Sequence, residues 1–417
     1  MLYLCKYDYK NLMGITDEQC LGKRVVYSAL VGAYHDRTEK NKCMRNTALL
    51  TRAACYGCEA CVQICPRNCI TTNFDHEGFL YVDVDDTSCI ECGLCEKVCP
   101  SLSPGEKHIP LHTYAAVNPD MDIRMKSSSG GFFSLLAERI IQQGGVVYGA
   151  RFDDAWQVVH DKVERVEELD SFRGSKYVQS RIGHSYADAK RHIEEGRQVM
   201  FVGTPCQIAG LHHFLQKPHD NLLSVDFICH GVPSPGVWKW YLGQISKKMK
   251  RQGLKQRLRY LLRSTSPLKG IEFRNKDKGW KQYQTCFLSK DGSQYDSRQY
   301  YHENGYMRAF LTDMDLRPSC YECKFKCGRS GSDITIADFW NVHKVVDDFD
   351  DDKGTSLVLL NTQKATEIFR SLSCRSQEVR FETAIQYNQA WEKPYPLNER
   401  RGEFFKQYRN DFDNFVK

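Results

Sequence analysis

Residues 55–66 read Cys55-Tyr56-Gly57-Cys58-Glu59-Ala60-Cys61-Val62-Gln63-Ile64-Cys65-Pro66, and residues 89–100 read Cys89-Ile90-Glu91-Cys92-Gly93-Leu94-Cys95-Glu96-Lys97-Val98-Cys99-Pro100. Both runs are C-x2-C-x2-C-x3-C-P, the spacing that builds a pair of [4Fe-4S] clusters. Three thiolates come from one tight loop, and the fourth cysteine of each run ligates the other cluster. The spacing therefore assigns one cluster to Cys55, Cys58, Cys61 and Cys99, and the second to Cys89, Cys92, Cys95 and Cys65. A structural zinc site needs four ligands once rather than this spacing twice, and a disulfide framework predicts no such repeat.

Outward from these runs, the 417-residue chain is 41% hydrophobic and 26% charged, with room for two or three domains. Its net charge of +6 is mild for this length and does not point to nucleic acid. No run approaches the ~18 apolar residues of a membrane span. Met1 to Lys10 carry Tyr, Lys and Asp where a signal peptide needs an apolar core. The expectation is a cytoplasmic protein whose 19 cysteines serve metal rather than disulfides.

Residues 1–43 hold Cys5, Cys20 and Cys43 at irregular spacing and read as a dispensable extension, with a first strand opening at Met44. Residues 44–104 form the ferredoxin module, with strands at Ile70–Phe74 and Gly78–Val84 around the turn at Asp75. Cys69, outside the motif, reads as a small buried core residue. A linker rich in Ser, Pro and Gly follows, from Ser101 to Pro110. Beyond it strands and helices alternate: Val146–Phe152, Gln198–Val202 and Leu222–Ile228 are strands, Phe132–Gln143 and Gln207–Leu215 helices. The expected fold is an α+β ferredoxin-like dicluster module followed by a larger α/β domain with a mainly parallel sheet. The larger domain is placed at 114–345, and 346–417 is a terminal strand, helix and aromatic, charged tail. Lys247 to Arg263 carries eight basic residues and no acid, a solvated helix face or a docking surface for an acidic redox partner. Asp348–Asp352 reads as a solvated turn, because Lys353 and Leu359 stand where a calcium loop needs Gly and Glu.

Cys206, Cys229, Cys320, Cys323 and Cys327 form a third group. Cys206 and Cys229 follow apolar strands, at the edge where parallel sheets place ligands. Cys320 and Cys323 are a C-x2-C pair suited to one metal site, with Cys327 as a spare. On spacing alone a third cluster, a zinc site and unrelated core cysteines all remain open. A Cys229–His230 nucleophile is disfavoured, since neighbouring strand residues face opposite ways. Ser128-Ser129-Gly130-Gly131 precedes a helix, either as a phosphate cradle or as a plain helix start. Arg173 to Ser180 offers a cation, an aromatic ring, an amide and a hydroxyl, a mixture suited to an aromatic cofactor with phosphates.

From about Cys55 to the late 380s the chain resembles the coenzyme F-420 hydrogenase/dehydrogenase beta-subunit family, in its form with an N-terminal dicluster ferredoxin. The resemblance is carried by Ser128–Gly131, Gly174–Ser180, Val202–Gln207, Cys229–Pro235, Phe273–Trp280, Arg317–Cys323 and Asp333–Trp340. It implies an iron–sulfur flavoprotein, with Cys206, Cys229, Cys320 and Cys323 holding a third [4Fe-4S] cluster. It also implies FAD contacts at Ser128, Ser129, Gly130, Gly131, Lys176, Tyr177, Gln179, Ser180 and Thr204. After Cys229 the chain reads His-Gly-Val-Pro-Ser-Pro, the bacterial version, so ferredoxin-type, deazaflavin and nicotinamide carriers all stay open. The implied function is an oxidoreductase exchanging electrons with a redox partner protein or small carrier. The alternative is a noncatalytic electron-transfer component of a larger complex.

Overall fold

The computed structural model describes residues 53–252, 268–289 and 297–416, all within one compact unit, Asn46–Lys417. The extension 1–43, the strand expected at Met44 and residues 253–263 of the basic run lie outside the described residues. Among the described residues, no helix is long and apolar enough to cross a membrane.

The dicluster module is a hairpin of β1 (Ile70–Phe74) and β2 (Leu80–Val84), with Ile70 opposite Val84. Asp75 closes its turn by accepting from the backbone N–H groups of Glu77 and Phe79, at 3.0 and 2.9 Å. Each cysteine loop leads into a short helix, Ala60–Ile64 or Leu94–Lys97. Gly57 and Glu91 occupy equivalent places in the two loops, as do Glu59 and Gly93. All four have left-handed φ, between 53° and 71°. Each loop thus spends one glycine and one strained glutamate on the same two bends.

The larger part is built on eight strands: β3 (His112–Val117), β4 (Val146–Phe152), β5 (Val158–Val163), β6 (Val199–Val202), β7 (Leu222–Phe227), β11 (Ile334–Asp338), β12 (Ser356–Leu360) and β13 (Arg375–Glu378). A separate antiparallel sheet holds β8 (Leu268–Asn275), β9 (Gln284–Ser289) and β10 (Ser297–Tyr300). The large sheet runs β13-β3-β12-β11-β7-β6-β4-β5. Alternate residues feed opposite faces, as a pleated strand requires. Val147 and Met200 pack with Phe132, Leu136 and Ile140 on one side. Val146, Tyr148, Val199 and Phe201 pack with Tyr186, Ile208 and Leu211 on the other.

The sheet corrects one expectation. Only β4–β6, β6–β7 and β7–β11 are parallel; β4–β5, β11–β12, β12–β3 and β3–β13 are antiparallel. It is a mixed sheet with a four-stranded parallel core. The turn Asp153–Gln157 is too short for a crossover, which forces β5 to run back along β4.

The boundary at 345 does not hold either. β12 lies inside the sheet between β11 and β3, with all five residues buried. The tail forms the helix Arg401–Phe415. Its Phe404, Tyr408, Phe412 and Phe415 share a core with Trp238 and Phe273, and with Phe79 of the ferredoxin hairpin. Arg401 grips Glu77 through two hydrogen bonds, at 2.9 and 2.6 Å. At Gly78 (φ 84°) an added Cβ would lie 2.4 Å from the Gly236 Cα, so only glycine permits this approach.

Candidate functional site

The first cysteine loop faces inward. Cys58 is buried, and a Cβ on Gly210 of the helix Pro205–Leu215 would sit 3.1 Å from its Sγ. Glu59 accepts from the N–H groups of Ile182 (3.2 Å) and Gly183 (2.8 Å). Gln63 accepts from those of Tyr186 and Ala187, each at 3.1 Å. Arg317, fully buried, donates to the carbonyls of Cys55 (2.7 Å) and Leu80 (2.9 Å) and lies 3.6 Å from Cys55 Sγ. The second loop faces out: Cys92 is exposed and Ile90 is 58% exposed. Cys69 is buried as expected, its Sγ 3.3 Å from that of Cys65.

Four of the five cysteines of the third group, Cys206, Cys229, Cys320 and Cys323, come together. Cys206 sits in the first turn of the helix Pro205–Leu215, which Thr204 and Gln207 close with a capping box. Cys229 lies just past β7, and Cys320 and Cys323 lie on and after the turn Pro318–Glu322. All four line one small cavity of about 30 Å³, beside Tyr56 of the first ferredoxin loop. The Val232 N–H points at Cys320 Sγ (3.4 Å), and Thr204 Oγ1 lies 3.1 Å from Cys206 Sγ. Burial pushes all four thiols up, Cys320 to about 11. Lys326, which donates to the Cys229 carbonyl at 2.6 Å, opposes that rise at Cys229. Cys327 lines the same cavity, but its thiol lies 3.4 Å from the Glu392 carbonyl. Among the described residues, no three His, Cys, Asp or Glu side chains converge as ligands of a single metal ion. A cube makes no such demand, because each thiolate binds its own iron. His230 Nε2 meets Asp313 Oδ1 at 2.6 Å, and its ring stacks on Tyr395 at 3.9 Å.

A second, larger cavity of about 690 Å³ adjoins the first. Of the residues expected at a flavin, Ser128, Ser129, Gly131, Lys176, Tyr177, Ser180 and Thr204 line it. Gly130 and Gln179 do not. Gly130 is packed against the backbone of Ala116 and Ser356. Gln179 is turned to the ferredoxin loop, donating to the Tyr56 carbonyl (2.9 Å) and accepting from Arg317 (3.0 Å). The Ser128 hydroxyl is engaged with Ser175 (2.8 Å), and that of Ser129 donates to the Thr355 carbonyl (2.7 Å). Lys176 turns its ammonium to the carbonyls of Arg173 and Gly174, and burial pushes its pKa down to about 7.

Asp348–Asp352 is a surface turn, with Asp348 and Asp351 exposed as its composition predicts, and it also carries ion pairs. Asp351 takes both Nη atoms of the buried Arg124, at 2.8 and 2.6 Å, and Asp350 takes Lys281 (2.7 Å) and His343 (2.8 Å). The loop braces Gly354, which lies against Ser129.

Sequence reasoning missed His160, Arg274, Asp338, Trp340 and Asn388 in the cavity wall. Arg274 Nε and Nη2, His160 Nδ1 and Asn388 Nδ2 are buried there without hydrogen-bond partners. Natural interiors rarely leave such groups unpaired, so these orphans fit a polar ligand.

Residues 196–382 match the family described as the C terminus of the coenzyme F-420 hydrogenase/dehydrogenase beta chain, and residues 54–102 match a 4Fe-4S dicluster domain. An uncharacterized protein of Methanocaldococcus jannaschii is 25% identical over 201 residues, 40% of this chain. That match spans 54% of the relative's length. The ketoisovalerate oxidoreductase subunit VorC of Methanothermobacter marburgensis is 32% identical over 63 residues, 15% of this chain and 80% of its own. Among solved structures, a chain of the coenzyme F-420-reducing nickel–iron hydrogenase complex of Methanosarcina barkeri shares 16% identity, with a TM-score of 0.40. It covers 74% of this chain and 92% of its own. Residues 54–102 are thus a two-cluster 4Fe-4S domain of the electron-transfer type, and over residues 196–382 the chain is similar to the coenzyme F-420 hydrogenase/dehydrogenase beta-subunit family.

Proposed function

We propose that the chain is a flavin-dependent iron–sulfur oxidoreductase, exchanging electrons between an external carrier and FAD. Cys55, Cys58, Cys61 and Cys99 hold one [4Fe-4S] cluster, and Cys89, Cys92, Cys95 and Cys65 the other. Cys206, Cys229, Cys320 and Cys323 hold a third. When bound, the clusters carry single electrons and FAD gathers them into the pairs that hydride chemistry uses.

The observation that carries this reading is a shared wall. Ile228, Cys229, His230, Gly231 and Val232 line both the small cysteine cavity and the large cavity. A thiolate set and a space large enough for a dinucleotide cofactor are separated by one stretch of backbone. Ser128, Ser129, Gly131, Lys176, Tyr177, Ser180 and Thr204 would hold the flavin, and the orphaned His160, Arg274 and Asn388 add polar contacts. Arg317 places a fixed positive charge beside Cys55, and charge and hydrogen bonds at sulfur are levers on cluster potential. The outward loop at Cys92 and Ile90 offers a carrier its point of approach.

Anaerobic purification with iron and flavin measured on one sample tests the reading. About twelve irons per chain and one FAD support it; about eight irons would mean two clusters only. The match to a protein named as an oxidoreductase subunit favours a second reading, a noncatalytic relay for a larger complex. Clusters without flavin would select the relay.

A further inference from the structure

Arg274 leaves β8 almost fully buried, 6% exposed. Its guanidinium lies 4.1 Å from the centre of the Tyr283 ring and 5.4 Å from that of Trp340. Nη1 donates to Tyr177 Oη (3.1 Å) and to Asp338 Oδ2 (2.9 Å). Nε and Nη2 are buried and donate to nothing. Those two N–H groups point the same way along one edge of the guanidinium plane, the edge that grips carboxylate and phosphate oxygens in pairs. Arg274, Tyr177, Tyr283, Asp338 and Trp340 all line the large cavity.

We infer that the Nε–Nη2 edge of Arg274 is an oxyanion site in the large cavity, taking a phosphate or carboxylate in a two-pronged grip. The inference builds on the reading of that cavity as a flavin site. Two sources of oxyanion share this chemistry: the diphosphate of FAD, and an acidic group on a second redox substrate. Proximity to the serine–glycine loop favours the diphosphate. Trp340 stacks on Trp280 at 4.5 Å, and Trp280 Nε1 donates to the Ser128 carbonyl at 3.1 Å. Lys276, two residues along β8 and its loop, donates to the Ser129 carbonyl at 2.9 Å.

The test compares the full chain with its R274K variant, which keeps the cation beside Asp338 and removes the fork. If the fork holds the flavin diphosphate, R274K weakens FAD binding about ten- to hundredfold, the loss expected for hydrogen bonds between charged groups. Riboflavin, which has no phosphate, then binds both proteins alike, and inorganic pyrophosphate displaces FAD from the wild type. If the fork serves a second substrate, FAD binds both proteins alike. Flavin-loaded wild type then binds pyrophosphate in calorimetry and R274K does not. Equal affinity of the two proteins for FAD and for pyrophosphate overturns the inference. So does a wild type that neither binds pyrophosphate nor releases FAD to it, a measurement that stands even if R274K misfolds. Pyrophosphate binding lost in R274K, from a protein that takes up no flavin, would remove the flavin reading and leave the oxyanion site.

Discussion

The cysteines of the dicluster domain and those of the third group are presented in opposite ways. In the ferredoxin loops, each three-thiolate corner is made within seven residues, bent by left-handed backbone at matching positions. In the third group a helix start, a strand end and a short turn each bring cysteines to one cavity. The first arrangement is local and strained; the second has no left-handed backbone at Cys206, Cys229, Cys320 or Cys323 but depends on the whole sheet. A loop of the first kind keeps its geometry while its surroundings change. A site of the second kind exists only when β7 and its neighbours are paired.

The largest expected effect breaks the assembled set alone. Replacing Cys320 and Cys323 by serine should lower iron from about twelve to about eight per chain, leaving the ferredoxin clusters. Unchanged iron would sink the third-cluster assignment. Next, Arg401→Ala asks how self-sufficient the local loops are. It leaves Glu77 as an uncompensated buried charge, and denaturant unfolding should show a loss of about 3–5 kcal/mol. A loss near zero would mean the hairpin does not need the C-terminal helix.

Glu59 and Glu91 sharpen the contrast further. Glu59→Ala strips an acceptor from two N–H groups, of which that of Ile182 is buried, at a cost of about 1–3 kcal/mol. In the cavity beside the assembled set, Lys176 sets a pH dependence. Its folded pKa of about 7 lies below the ordinary lysine value, so it is protonated and attracts phosphate only below that pH. FAD affinity should therefore fall as pH rises through 7, by up to about tenfold per unit. Lys176→Gln should flatten that profile in a fluorescence titration. The smallest effect is at the outward loop, where Glu91→Gly should stay within about 1 kcal/mol of the parent, because relief of left-handed strain offsets glycine's entropy.

These two modes also explain what the sequence made legible. The ferredoxin cysteines could be read because their geometry is encoded in gaps of two and three residues. Ser128–Gly131, Lys176 and Thr204 could be placed near the cavity from short segments and the family resemblance. His160 and Asn388 lie in no such segment, and Arg274, although inside the resembling stretch Phe273–Trp280, is given no role there; the signal of all three is a buried atom without a partner. Arg317 and Arg401 are single arginines whose partners are distant in sequence, so no spacing announces them. The antiparallel entry of β12 and β3 into the sheet was hidden for the same reason, since a pairing between remote strands leaves no period along either one. Gln179 sits in a segment that does line the cavity, but its side chain is held by the Tyr56 carbonyl and Arg317 at the ferredoxin loop instead.

The clasp between Glu77 and Arg401 has a consequence in time. Its partners are 324 residues apart. At ribosomal speeds of about 5–20 residues per second, roughly 16–65 s separate their synthesis. Throughout that interval the hairpin lacks its closing cation, and Phe79 lacks the aromatic helix that covers it. A nascent chain therefore leaves its ferredoxin hairpin without this cover for tens of seconds, until the last helix is made and closes on it.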